Sequence, residues 1–249
     1  MDREQPRQAG SILIVIIAVI PARGGSKRIP RKNIRPFACK PIIAYSIAAA
    51  QQCGLFDRIV VSTDDAEIAA VARGYGAETP FVRPPELSDE HTGTVAVTGH
   101  ALTWLAEHGC DAELACCVYA TAPFLTADDL RRGHNVLIAS GKTFAFSVTS
   151  FPFPIQRALR ITAGGVVAAM HPQWIEWRSQ DLEEAHHDAG QFYWGRAAGF
   201  RDKLSLYVGD AVPVVLPRYR VQDIDTVEDW RQAELMYGAL MAAAASGKS

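Results

Sequence analysis

The chain lacks most of the features that sort a protein quickly. Among its 249 residues Lys and Arg number 25 and Asp and Glu 27, a formal net charge of −2. No positive excess is therefore available to replace the counterions of a nucleic acid or to hold a polybasic anchor on a membrane. The cysteines are few and odd in number (Cys39, Cys53, Cys110, Cys116, Cys117), and none stand in CxxC spacing. That excludes a disulfide framework and a thiolate zinc site, and leaves buried free thiols in a reducing cytoplasm as the expectation. The apolar run Ile12–Ile20 is nine residues long, too short to cross a bilayer, and no small-x-small cleavage site follows it. It reads as a buried parallel strand behind a disordered tail over residues 1–11. Repeats are absent, as are the Walker A and GxGxxG fingerprints. Disorder is excluded, since 49% of the chain is hydrophobic and the net charge is small.

What is present is an alternation of strand and helix signals. Pro41 opens a helix that runs to Gln52 and stops at Gly54. Arg58–Ser62 is strand-like, and a helix follows to Arg73 with Thr63 or Asp64 as its cap. Further strands are expected at Glu78–Val82, Glu113–Tyr119, Thr143–Thr149 and Ala211–Leu216. Further helices are expected at 92–107, at 126–139 behind Thr126, and from Val227 behind Thr226. Such alternation specifies an α/β fold, a Rossmann-like, mostly parallel sheet with helices on both faces. Between Phe151 and Asp210 the rhythm fails, and Trp174, Trp177, Phe192, Tyr193 and Trp194 cluster among Pro and Gly. The domain therefore reads as 12–150 plus 211–243, with 151–210 an inserted subdomain for sugar binding or dimerisation.

Two segments carry chemistry. The first, Arg23-Gly24-Gly25-Ser26-Lys27-Arg28-Ile29-Pro30-Arg31-Lys32-Asn33, follows the first strand directly. Ligands of parallel α/β sheets bind at the carboxyl ends of the strands. Gly24 and Gly25 permit positive φ and a close backbone approach to an anion, while Arg23, Lys27 and Lys32 can neutralise a polyphosphate. A plain solvated basic loop is the bland alternative. The second segment is Gln222-Asp223-Ile224-Asp225-Thr226. Carboxylates at i and i+2 of an extended stretch point the same way and suit Mg²⁺, although Asp225 could equally be a helix cap. Six cations fall between Arg23 and Arg35 with no acid among them, and Asp223, Asp225, Glu228 and Asp229 crowd the other end.

With these motifs in view, the sequence resembles the CMP-sugar-acid synthetases, the acylneuraminate cytidylyltransferase family. The carrying stretches are IPARGGSKRIPRKN (20–33), PIIAYSIAAA (41–50), VSTDD (61–65), RPPELSDEHTGT (83–94) and YATAPF (119–124). They continue with FAFSVTSFPFPIQRAL (144–159), RSQDLEEAHHDAGQFYW (178–194) and VVLPRYRVQDIDTVEDW (214–230). SFPFPIQRAL and HHDAGQFYWG resemble the pseudaminic branch of that family. The resemblance departs at RSQD, where a serine interrupts the family's RQD, and at Tyr119, which stands where the family has glutamine.

The resemblance implies a nucleotide-diphospho-sugar transferase type of domain. The implied reaction is Mg²⁺-dependent transfer of CMP from CTP to a nine-carbon sugar acid, pseudaminic acid, with release of pyrophosphate. It places Arg23, Gly24, Gly25, Ser26, Lys27, Lys32, Asn33 and Thr121 around the nucleotide, and Asp223 and Asp225 on the metal. Arg23, Lys27, Lys32 and the two aspartates form the catalytic set, in which positioning and charge neutralisation dominate. Arg157, Arg178, Gln180, Gln191, Phe192 and Tyr193 are the candidate sugar contacts, with Lys142 and Phe153 as further candidates. For the aromatics, a subdomain core or an interface is an equal alternative. His186 and His187 offer no clear general base. A cytoplasmic homodimer with no nucleic-acid or membrane partner is expected. Two rival readings stay open: a synthetase for N-acetylneuraminate or 3-deoxy-manno-octulosonate, or a non-catalytic nucleotide- or sugar-binding module on the same fold.

Overall fold

In a computed structural model describing residues 14–247, the apolar run near the N-terminus forms strand β1 (Ile16–Pro21), shorter than Ile12–Ile20. Residues 1–13, on which the expected tail falls, lie outside the described residues. A basic loop leads to a small hairpin, β2 (Pro36–Phe37) and β3 (Lys40–Pro41), and then to α1 (Ile43–Cys53), which Gly54 ends at φ 70°. Next come β4 (Arg58–Ser62), α2 (Ala66–Gly74), α3 (Thr94–Glu107), β5 (Leu114–Val118), α4 (Ala127–Ser140) and β6 (Phe144–Ser150). A small hairpin of β7 (Leu159–Ile161) and β8 (Val167–Ala169) precedes β9 (His186–Arg196). Then α5 (Ala197–Arg201), β10 (Ala211–Val215) and α6 (Val227–Ala245) close the chain.

The main sheet has the order β10-β6-β9-β5-β1-β4. Every neighbouring pair is parallel except those that β9 makes, antiparallel, with β5 and β6. The α/β, mostly parallel architecture is thus present, with one correction. The insertion expected over 151–210 ends near residue 185, because β9 stands in the middle of the sheet. Period-two alternation suits it to that place: Phe192 and Trp194 pack under α4 on one face, while Tyr193 packs with Phe146 on the other. The segment from Phe151 to Ala185 carries only the β7–β8 hairpin and single helical turns.

Three smaller expectations also change. Glu78–Val82 forms no strand; a single bridge from Glu78 to Val60 remains, and Pro80 cannot extend a ladder. The cap of α2 is Asp65, whose Oδ1 accepts from Glu67 N (2.9 Å) and Ile68 N (3.0 Å). Of the thiols, Cys53, Cys116 and Cys117 are buried, but Cys39 is exposed at the turn of the β2–β3 hairpin.

Apolar clusters cover both faces of the sheet. One joins α1, α2 and α4 to Ile20, Val61 and Trp194; the other joins α3 and α5 to Ile17, Val19 and Phe144. A third, of Ile29, Phe37, Tyr45, Ile224 and Trp230, ties α6 to the basic loop. This third cluster brings the basic loop and the segment before α6 together.

Candidate active site

Beyond the C-terminal ends of β1 and β5 lies a cavity of about 330 Å³. Arg23, Ser26, Lys27, Lys32 and Asn33 line it from the basic loop, Thr121 from the loop after β5, and Asp223 and Asp225 from the segment before α6. Residues almost two hundred positions apart thus share one wall. Lys32 Nζ donates to the Ile224 carbonyl (2.5 Å) and approaches Asp225 Oδ1 (3.3 Å), while Arg28 pairs with Asp225 Oδ2 (2.8 Å). Lys27 also pairs with Glu90 (3.1 Å). Asn33 Nδ2 donates to the Arg23 carbonyl (2.9 Å), so Asn33 shapes the loop as well as lining the cavity.

The glycines act otherwise than expected. Neither takes positive φ; the left-handed residue of the loop is Arg31 (φ 57°), whose guanidinium binds Asp65 and Glu67. Gly24 is required by crowding, since a Cβ there would stand 2.7 Å from Asp65 Oδ2. Its N–H donates to Asp64 Oδ1 (2.8 Å) and is occupied, and neither Gly24 nor Gly25 lines the cavity.

The expected sugar contacts are scattered. Phe192 is fully buried in the core under α4, and Tyr193 is 2% exposed with its hydroxyl donating to Asp188 Oδ2 (2.8 Å). Both are core residues because a central strand buries both faces. Gln191 is buried too, and its Nε2 donates to the Arg220 carbonyl (2.6 Å). Arg157, Arg178 and Gln180 lie on the 151–185 segment and do not line the cavity of their own chain. There Arg178 Nε pairs with Asp181 (2.7 Å) and Arg157 reaches Ser179 Oγ (3.4 Å). Lys142 precedes β6, at the opposite edge of the sheet, and pairs with Asp210 (3.4 Å). His186 and His187 begin β9 and do not line the cavity, and Phe153 is 65% exposed.

Sequence reasoning missed part of the wall. Arg28, Arg83, Asp89, Thr92, Thr94 and Tyr119 also line the cavity. Arg83 is the most informative, an arginine only 3% exposed. Its hydrogen bonds run to neutral oxygens, Ser62 Oγ (3.2 Å), the Ser62 carbonyl and the Leu87 carbonyl (3.4 Å). Burial pushes its pKa down to about 10, against the field of Asp64. Buried charges are ordinarily paired, so a buried cation on a cavity wall is poised for an anion. Burial likewise pushes the Tyr119 hydroxyl up to about 12, keeping it neutral.

Asp223 and Asp225 supply hard oxygen donors at one spot. Desolvation in the cavity, then the charge of Asp225, lift the Asp223 carboxyl above its ordinary value. A divalent cation would relieve that repulsion. Among the described residues no cluster of three or more His, Cys, Asp or Glu could hold a metal. Two carboxylates are thus what the chain offers here, which is the habit of Mg²⁺ bound jointly with substrate phosphates. The donor set fits.

A mostly parallel α/β sheet, a cation-lined cavity at its carboxyl edge and a carboxylate pair beside those cations are the features of a nucleotidyltransferase. The chain belongs to the cytidylyltransferase family, whose model matches residues 17–151. It is 42% identical to the pseudaminic acid cytidylyltransferase of Campylobacter jejuni subsp. jejuni serotype O:2, over 89% of this chain and 95% of that one. The CMP-N,N'-diacetyllegionaminic acid synthase of Legionella pneumophila is 31% identical over 88% and 94% of the two chains. Among solved structures, a CMP:2-keto-3-deoxy-manno-octonic acid synthetase complexed with CTP shares the fold, with a TM-score of 0.65 at 16% identity, covering 92% of this chain and 98% of that one. No helix among the described residues is long and apolar enough to cross a membrane.

Proposed function

We propose that this cytidylyltransferase activates pseudaminic acid with CTP, in the presence of Mg²⁺, to give the CMP-sugar and pyrophosphate. The observation that carries the reading is the junction of Arg23, Arg28, Lys27 and Lys32 with Asp223 and Asp225 around one cavity. The sugar acid is supported by the Campylobacter jejuni relative, which shares more identity than the legionaminic acid synthase, and by the branch-like stretches SFPFPIQRAL and HHDAGQFYWG.

In this reading the anomeric hydroxyl forms a bond to the α-phosphorus of CTP. The bond from that phosphorus to the bridging oxygen breaks, and pyrophosphate leaves in line. The hydroxyl proton passes to water as the ester forms. Arg23, Lys27 and Lys32 offset the negative charge gathering on the leaving group, and buried Arg83 gains a directly bonded anion in place of neutral partners alone. Asp223 and Asp225 would hold the metal, which when bound would supply Lewis-acid polarisation of the phosphates and of the attacking hydroxyl. Little covalent work falls to the protein, so alignment is its main contribution.

Arg157, Arg178 and Gln180 then belong to a partner's sugar site, carried there by the 151–185 segment in a homodimer. Phe153, Leu159, Ile161 and Val167 on that segment are all more than 60% exposed, the surface such an interface would cover. The cysteines, free throughout, suit a cytoplasmic setting.

The test is a substrate panel. Purified protein with CTP and Mg²⁺ is offered pseudaminic, N,N'-diacetyllegionaminic, N-acetylneuraminic and 3-deoxy-manno-octulosonic acids, and pyrophosphate is measured. The highest kcat/KM is expected with pseudaminic acid. A preference for another acid would move the substrate, and no release with any of them would favour a binding module.

A further inference from the structure

The segment bearing Asp223 and Asp225 is not part of any strand, and its one ordered turn before α6 is Arg218–Arg220. Carboxylates that bind a metal together must nevertheless keep their places within fractions of an ångström. At its far end the segment is well held. Ile224 is fully buried against Ile29 and Trp230, and the Asp229 carboxylate accepts the N–H groups of Asp225 (3.1 Å) and Thr226 (2.7 Å).

At the near end the restraints converge on Arg220. Its carbonyl accepts Nε2 of Gln191, a buried residue of the central strand. Its guanidinium meets Asp129 at the start of α4 in a fork, Nη1 to Oδ2 at 2.6 Å and Nη2 to Oδ1 at 3.1 Å. Asp129 is 4% exposed. It already serves the capping box of α4 through Thr126 and meets Arg132 at 3.2 Å. Burial alone would raise its carboxyl, but Arg220 and Thr126 together hold it below the ordinary range. Taking such a pair out of water costs about what the attraction returns, so stability is a weak reason for its presence. What the fork does supply is direction: a planar, two-point contact fixes Arg220, and with it the chain three residues before Asp223.

We infer that Arg220 is a positioning residue, clamped by Asp129 and Gln191 so that Asp223 and Asp225 stand where a divalent cation and the CTP phosphates need them. The inference rests on the reading of the aspartates as metal ligands. It assigns Gln191 to this clamp, where the sequence suggested a sugar contact.

The probe is Mn²⁺ binding to the full-length protein with CTP, followed by loss of the free-ion electron paramagnetic resonance signal. CTP binding is measured separately in EDTA, and the Mg²⁺ concentration for half-maximal pyrophosphate release is recorded alongside. Arg220→Gln and Asp129→Asn are each expected to weaken Mn²⁺ binding about tenfold or more and to raise the Mg²⁺ requirement by a similar factor. CTP affinity in EDTA should stay within about twofold, because the clamp touches no cavity cation. Combining the two changes should add little to either alone, since both break the same fork. A folded Arg220→Gln protein with unchanged Mn²⁺ affinity overturns the inference. So does an equal loss of metal and nucleotide affinity, which marks general loosening. If Arg220→Gln does not fold, Arg220→Lys keeps the charge without the fork and is read by the same criteria. Absence of Mn²⁺ uptake by the unaltered protein with CTP would instead remove the metal assignment itself, a failure distinct from that of the clamp.

Discussion

Among single residues, Arg83 and Asp225 show the difference between a charge that would serve both the fold and a ligand and one that would serve a ligand alone. Arg83 is buried with only neutral hydrogen-bond partners, so a bound anion would supply the direct charge pairing it lacks. Arg83→Met is expected to weaken CTP binding at least about tenfold by calorimetry, the loss of a charge-assisted contact. Stability should also fall by about 1–3 kcal/mol, because the oxygens of Ser62 and Leu87 lose their donor. Unchanged affinity would show that the guanidinium merely braces its loop. Asp225 is the contrary case. Its pairs with Arg28 and Lys32 are partly exposed and add little to stability. Asp225→Ala should therefore melt near the parent while metal-dependent pyrophosphate release falls at least ~100-fold. Full turnover in that variant would refute the metal assignment. Acid stability has a clear sign as well. Arg31 holds Asp65 below the ordinary carboxylate range, and the net of burial and the Arg220 and Thr126 contacts does the same for Asp129. Their contribution is complete above the unfolded pKa of about 4 and disappears as pH falls through the lowered native values. Melting temperature should drop below about pH 4, and less steeply in Asp129→Asn. Of these residues the sequence made Asp225 legible, because a DxD pair near a basic loop is local chemistry. Arg83 was not legible, because its role comes from being buried beneath a cavity that distant segments build.

Elements were readable wherever their signals are local. Thr126 and Thr226 were expected as caps, and each closes a capping box with Asp129 or Asp229 at the third helical position. Thr226→Ala should cost about 1 kcal/mol, lowering the melting temperature by about 2–4 °C. Its effect on activity should exceed its effect on stability, since Asp229 also fixes the N–H of Asp225. An equal scaling of both would show that the cap merely holds the helix. The cap of α2 was misread because Thr63 Oγ1 accepts the Asp65 N–H (3.2 Å), which leaves Asp65 to cap. The harder failure was β9. A strand entering antiparallel from the far side of an irregular segment has no local signature of its sheet partners. Its aromatics therefore stood open between a sugar pocket and a core, and Phe192 and Tyr193 belong to the core.

For the molecule as a whole, near-neutrality conceals a segregation of charge. The basic loop near the N-terminus and the acidic segment before α6 meet between Lys32 and Asp225, 193 positions apart. The third apolar cluster holds them there, with Ile29 from one segment and Ile224 from the other. The exposed apolar side chains of the 151–185 segment belong to this scale too. Light scattering should return the mass of a dimer, and Ile161→Asp should shift it toward the monomer. A monomeric parent protein would return Arg157, Arg178 and Gln180 to the surface with no role. The most direct test of the central claim is a ³¹P NMR spectrum of CTP, Mg²⁺ and pseudaminic acid with the protein. The α-phosphorus should move to a phosphodiester signal while pyrophosphate appears in equal amount, and neither should occur with Asp225→Ala. Unconsumed CTP, or release of orthophosphate with CDP, would contradict attack at the α-phosphorus and the site built around it.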